Sequence, residues 1–533
     1  MATFSIRAFG GVSPKTPPRM LSDNQAQVAL NSGVFTGSLK PIKGLGTSVA
    51  TVPGTTTTLY KFGQDVEDPT LGWLAWANDV DVVRSQINGD TEEWTFYSGD
   101  GFPKAIRAGF TASPIHLGLK GPTAAPNVAL GATPPDFEDL VQETRVYTYT
   151  LVNKVGAREI ESAPAPPSSP VDVYPDQSVT VTNFAGPATN YDATHVRIYR
   201  STAGIFLFVA EITLATAIGS GYVDTVDPEL LAEELPSLNW LAPPDTLKGL
   251  TNLPNGIVAG FDGRDVYFCE PYVPHAWPDD YRQTLDHPVV GLGRMDTTLA
   301  VLTKGTPYLI QGSHPEAMVV IKSDVEQACV SKRSIVSMNS FVFYCSPDGL
   351  IALTPGGSQV ITEQLFTYDQ WQALIKPESV HAYHHDMKYI GFYNNGTTQG
   401  SFVYDLITKE FTFNTAYATA GFNFLRADTL YLHNAGSVQP WDSGSTLNYT
   451  WKSKIFTMPR VLGMSCMQVD AETYPVTAKL YLDGQLILTQ TVTSRFPFRL
   501  PAKSGRDWEI ELTGTSEVFS VAVAQSMEEL ANV

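Results

Sequence analysis

Residues 340–357, SFVFYCSPDGLIALTPGG, set the reading of the whole chain. An apolar run climbs to a Ser346-Pro347-Asp348-Gly349 corner, turns back into a second apolar run and stops at Gly356-Gly357. An Asp-Gly pair between two strand-like runs signals a hairpin, because glycine takes the positive φ of a tight turn at little steric cost. The unit recurs. Turn glycines Gly263, Gly305, Gly349, Gly396 and Gly436 follow one another at 42, 44, 47 and 40 residues. A strand–turn–strand unit with a period of roughly 40–50 residues is the pattern of β-propeller blades. One blade cannot bury both its faces, so neighbours must stack, and ring closure would protect the ends. No Trp-Asp or kelch signature marks the units; the spacing carries the prediction. Residues 55–109 share this grammar and predict a further blade beside the last one.

Around this core the composition changes. Short β-branched and aromatic runs such as VYTYTLVN, HVRIYRS and KYIGFYN, punctuated by Gly, Pro, Asn or Asp, predict a mainly β chain. Three helices are expected: 21–32 with Asp23 as cap, 362–375 with Leu365, Phe366, Trp371 and Leu374 at helical spacing, and a short acidic one at 227–238. Residues 121–136, GPTAAPNVALGATPPD, read as a linker into closely spaced alternating strands. These strands resemble a fibronectin type III or related immunoglobulin-like sandwich inserted between blades. The predicted organisation is an N-terminal arm (1–45), a first blade region (46–120), the inserted domain with its linkers (121–245), the remaining blades (246–445) and a C-terminal β-sandwich-like region (446–533).

At 533 residues, 43% hydrophobic and 17% charged, the chain has material for a large core. Lys and Arg number 35 against 54 Asp and Glu, a net −19. That balance argues against a general nucleic-acid binder, whose affinity comes from neutralising phosphates with Lys and Arg. It leaves room for a protein past which nucleic acid slides. The insert is the acidic part: over 125–245, 16 acidic side chains face 5 basic ones. The start is the basic part, with Arg7, Lys15, Arg19, Lys40 and Lys43 against Asp23 alone in residues 1–45. Those five are candidate contacts to a phosphate backbone or to an acidic neighbouring subunit. Cys269, Cys329, Cys345 and Cys466 share no C-x-x-C spacing and are expected as buried, reduced thiols. With neither an apolar leader nor a run of ~18 apolar residues, the expectation is synthesis in a cytoplasm and no membrane insertion.

Catalytic patterns are sparse. His381, His384, His385 and Asp386 cluster in HAYHHDMKY, but on a strand the same-face pair His381 and His385 lies too far apart to share one metal. Asp279, Asp280, Asp286 and His287 in WPDDYRQTLDHP are the nearest thing to a glycosidase carboxylate set. No phosphate loop, G-x-S-x-G elbow or H-E-x-x-H is present. The expectation is no enzyme, no cofactor and no metal.

One resemblance organises these features. PPRMLSDNQAQVALNSGVFTGSLKPIKG (17–44), with Pro18-Arg19, Ala29 to Asn31 and Gly37-Ser38-Leu39-Lys40-Pro41, is similar to the opening of tail nozzle proteins of short-tailed bacteriophages, the packaged-DNA stabilisation proteins. The stretch around Trp277-Pro278 and SKRSIVSMNSFVFYCSPDGLIALTPGG extend the likeness over roughly 1–110 and 245–445. The resemblance implies a structural virion protein in the phage tail, made in the host bacterial cytoplasm. It also implies a homo-hexameric ring at the distal end of the tube that retains packaged DNA and forms the channel for its ejection. Expected partners are tail adaptor or tube proteins, tail fibres or spikes, and double-stranded DNA in the lumen. A glycan-binding or glycan-hydrolysing propeller, acting in receptor recognition, is the alternative.

Overall fold

The structure is a computed structural model that describes residues 3–63, 68–135 and 137–531. Residues 64–67 of the first blade region, Asp136 at the end of the predicted linker and the last two residues of the acidic tail lie outside them. The fold is mainly β: a β-propeller core with an inserted β-sandwich and a C-terminal sandwich-like region. The chain divides into two compact units, one of residues 1–79, 302–308 and 322–533, the other of 80–301 and 309–321.

The blades are four-stranded antiparallel sheets whose strands follow in chain order. They span 248–284, 289–322, 336–360 and 381–414. A further one is built from Ala420–Phe424, Thr429–Asn434 and Ser437–Pro440. Four of the five repeat glycines fall in the link between the second and third strands of their sheets, and Gly349 opens the third strand of its own. The period in the sequence is therefore the period of the blades. In the second unit the first strand of the 248–284 sheet lies against Asp81–Arg84. In the first unit, Ala420–Phe424 lies against both His381–His385 and Thr58–Lys61.

The predicted first blade region (46–120) divides three ways. Ala50–Thr51 pairs with Ser437–Pro440 as the fourth strand of the last blade. Thr58–Lys61 and Trp73–Trp76 form a two-stranded sheet, and 81–116 supplies a complete four-stranded one.

The insert is a sandwich. Asn127–Leu130, Val179–Thr182 and Tyr222–Asp224 make one sheet; Arg158–Glu161, Tyr147–Val155, His195–Thr202 and Ile205–Thr213 make the other. Tyr147, Tyr149, Leu151, Val181, Val196 and Ile198 are buried in its core. Inside it, Arg200 pairs with Asp224 at 2.7 Å and Tyr147 donates to the same carboxylate at 2.7 Å, with all three side chains buried.

The predicted N-terminal helix is a strand. Ala26–Leu30 sits between Phe411–Asn414, to which it runs parallel, and Tyr449–Ser453, to which it runs antiparallel. It thereby joins the 381–414 blade to the C-terminal strands in one ten-stranded sheet. Thr3–Ile6 pairs with Val518–Ala524 in the facing sheet. Phe4 stacks on Phe456 at 4.4 Å, Phe9 meets Trp451 edge-on at 4.9 Å, and the Trp451 indole donates to the Gly10 carbonyl at 3.0 Å. A Cβ on Gly11 would stand 2.3 Å from the Phe411 carbonyl oxygen, so the close approach of the two backbones requires glycine there.

Of the other two predicted helices, 362–375 is helical over Tyr368–Leu374, opened by a capping box between Thr367 and Gln370. The 227–238 segment forms only the 3-10 turn Pro228–Leu230. Its continuation pairs instead with the edge strand of the insert, Phe208 N to Glu233 O at 2.9 Å and Leu235 N to Phe206 O at 2.9 Å. Leu214–Ser220, capped by Thr213, is a helix that the periodicity did not announce.

Candidate functional site

The five basic residues of the N-terminal segment are largely engaged within the chain. Arg19 pairs with Asp507 at 2.6 Å, Lys40 with Glu517 at 3.4 Å, and the Lys15 amine donates to the Glu363 carbonyl at 2.7 Å. At Lys43 it is the backbone N–H, not the ammonium, that donates to Asp442, at 2.7 Å, and Arg7 also interacts within the chain. The segment is thus a built-in part of the first unit rather than a loose arm. Arg19 still leaves 65% of its side chain exposed, and an exposed pair of this kind is weak enough to exchange partners.

The histidine cluster does not converge. His381 is buried, stacked on Phe392 at 5.3 Å, and burial with the nearby Arg333 charge pushes its pKa down to about 3. Among the described residues no group of three or more His, Cys, Asp or Glu is placed to hold a metal ion. In the carboxylate run, Asp279 pairs with Arg282 at 3.4 Å and Trp277 is buried, its indole donating to the Pro274 carbonyl at 3.0 Å. All four cysteines are free and buried, and burial raises the Cys269 and Cys345 thiols to about 12, which leaves them unreactive.

Part of the acidic excess of the insert is neutralised around Arg197. Arg197 reaches Glu211 at 2.9 Å, Glu161 at 2.8 Å and Glu159. Burial works to raise Glu159 and Glu211, but hydrogen bonds from Arg197 and Lys154 outweigh it and hold both below the usual range.

The strongest candidate lies in the first unit, where the Ser32–Gly33 and Lys40–Pro41 hairpin meets the 381–414 blade and the end of the last blade. It is a cavity of about 370 Å³, at the small end of the range for ligand pockets. Phe35 and Trp441 give it aromatic walls, and Asp386, Asp428 and Asp442 stand at an exposed rim. The Lys388 amine sits 5.3 Å from the Phe35 ring centre and pairs with Asp386. Trp441 is held edge-on to Phe392 at 5.9 Å.

The floor is unusual. Thr412 and Asn414 alternate on one face of the outer blade strand and are 1% and 2% exposed. Neither the Thr412 hydroxyl nor either end of the Asn414 amide has a hydrogen-bond partner in the protein, and Ser401, cross-strand from Asn414, is in the same state. Each such group costs roughly 1–3 kcal/mol of stability when left unpaired. Sequence reasoning missed this site because its residues come from 33–42, 385–414 and 428–442, with no local motif.

No family model matches the chain, and no curated protein matches it. Among solved structures, it is similar to BBS1N from a complex with ARL6DN: TM-score 0.24, 11% identity, 51% of this chain and 85% of that one. It is also similar to an exo-β-1,3-galactanase from Phanerochaete chrysosporium: 0.22, 8%, 70% and 95%. A third is PorZ, a surface component of the type-IX secretion system of Porphyromonas gingivalis: 0.25, 10%, 89% and 82%. At these TM-scores the similarities carry no inference about what the chain does.

Proposed function

We propose that the chain is a structural protein of a phage tail, a nozzle subunit that assembles as a sixfold ring around the path of packaged DNA. One observation supports this reading most. The segment resembling nozzle openings is the one that splices the 381–414 blade to the C-terminal sheet through Ala26–Leu30. A subunit under pressure from packaged DNA must pass force between its modules without unfolding. A strand hydrogen-bonded on both edges must break both ladders together to come out. The net −19 charge fits a channel that lets DNA slide rather than gripping its phosphates. A head-to-tail interface repeated by rotation closes into such a ring. In this reading the chain is not an enzyme and needs no cofactor. Electron microscopy of the purified chain mixed with the tail-tube protein tests it. Rings of six copies seated on the tube end are expected; bare tubes beside single-copy particles refute it.

A further inference from the structure

We infer that Asn88 is a site of spontaneous covalent modification, at which the side-chain amide is lost through a ring closed by the main chain. The inference does not rest on the tail reading. The chain has three Asn-Gly pairs, Asn88-Gly89, Asn255-Gly256 and Asn395-Gly396. In such a pair the glycine, with no side chain in the way, lets its amide nitrogen swing onto the asparagine side chain. The fold restrains two of the three. The Asn395 side-chain oxygen accepts from the Thr397 and Thr398 N–H groups at 3.0 and 2.8 Å, and its nitrogen donates to the Ala373 and Leu374 carbonyls. The Gly396 N–H, the group that would attack, is itself tied to the Asn394 side chain at 3.0 Å. Asn255 donates to the Ser313 carbonyl at 3.2 Å, and Gly256 is buried so tightly that a Cβ there would stand 2.4 Å from the Tyr272 ring. Asn88 and Gly89 differ. Both are exposed, in the turn between the strands Asp81–Arg84 and Thr95–Ser98, and a Cβ on Gly89 would meet nothing within 4 Å. Among the described residues neither makes a hydrogen bond within the protein. Exposed turn residues outside any ladder open at little cost in free energy, so the reacting atoms are free to meet.

The chemistry needs only water as a co-reactant. The Gly89 nitrogen attacks Asn88 Cγ; the new C–N bond forms as the Cγ–Nδ2 bond breaks, and the Gly89 proton leaves with the amide as ammonia. Water then opens the succinimide ring at either carbonyl, leaving aspartate or its β-linked isomer and adding one negative charge. The loop that changes also receives the insert: Arg158 donates to Ser85 Oγ at 2.6 Å, and the Ala157 N–H donates to Glu92 at 2.9 Å. Incubation of the full chain at mildly alkaline pH, native and in urea, followed by peptide mass spectrometry, tests the inference. In urea the three pairs are expected to convert at similar rates, because the fold no longer distinguishes them. In the native chain Asn88 is expected to convert within a few-fold of its rate in urea, and Asn255 and Asn395 many-fold more slowly. Asn88→Gln, a change at an exposed position, is expected to abolish the native signal and to leave the melting temperature unchanged. If native Asn255 or Asn395 converts as fast as Asn88, or if native Asn88 stays intact while the chain in urea converts, the inference is overturned. Because the readout needs only the single chain, failure to form a ring leaves it standing, and an intact Asn88 leaves the ring standing.

Discussion

Gly349 shows how a residue can be read correctly for the wrong reason. Asp-Gly announced a tight turn, but the corner of that hairpin is Pro347-Asp348, and Gly349 is already the first residue of the next strand, paired with Ser346. What requires glycine there is space: a Cβ would stand 2.5 Å from the Thr362 hydroxyl and 2.7 Å from the Val360 side chain. Gly349→Ala is therefore expected to destabilise the chain by about 1–3 kcal/mol through overpacking, read from the shift of the urea midpoint at unchanged m-value. His381 gives a prediction with a pH sign. Its folded pKa of about 3 lies below the ordinary 6.5, so the unfolded chain binds the extra proton across that interval. Its contribution is complete above pH 6.5 and is lost as pH falls toward 3. His381→Phe, which keeps a ring against Phe392, is expected to lose roughly 1 kcal/mol less stability than the parent per pH unit below about pH 6. Urea unfolding near pH 7, 6 and 5 checks this; parallel curves would show that His381 is not buried neutral.

At the scale of elements, the N-terminal strand was the least legible part, for a definite reason. Ala26 and Ala29 are buried three residues apart, which imitates helical spacing. The register shift between Ala26 and Val28 puts a bulge in the strand and turns a period of two into a period of three. Nothing local in LSDNQAQVALNS reveals a partner at 449–453, since that pairing belongs to tertiary structure. Ile6, on the strand paired with Val518–Ala524, is 1% exposed. Ile6→Ala is expected to cost about 2–5 kcal/mol, measured by chemical denaturation. A cost below ~0.5 kcal/mol, as for surface substitutions, would mean that the segment is not spliced into the core. In the insert, Asp224→Ala leaves the Arg200 guanidinium buried without its charge partner and is expected to cost about 3–5 kcal/mol. Hydrogen exchange should then collapse in Tyr147–Val155 and His195–Thr202 before the blades. The Thr367–Gln370 capping box, by contrast, was present in the sequence as T-x-x-Q and marks the true start of its helix. The helix expected from 362 begins later because the cap, rather than the apolar spacing, fixes the first turn.

For the whole molecule, the blade period was legible because it rests on one repeated constraint, a turn between second and third strands at a steady spacing. The insert was legible because its composition and alternation change at once. The use of residues 50–51 to complete the last blade was not, since two residues carry no pattern of their own. The cavity was hidden for the same reason on a larger scale: its walls come from three separated segments. Charge was visible only as a sum, and the structure shows part of the acidic excess of the insert neutralised around Arg197. Assembly is the property on which the proposed role depends. The most direct measurement is native mass spectrometry of the 58.0 kDa chain at near-physiological salt, alone and with the tail-tube protein that the proposed role would give it as a partner. A six-copy ring, free or formed on the tube, is the predicted result; a chain that stays a 58.0 kDa monomer in both samples contradicts the nozzle role.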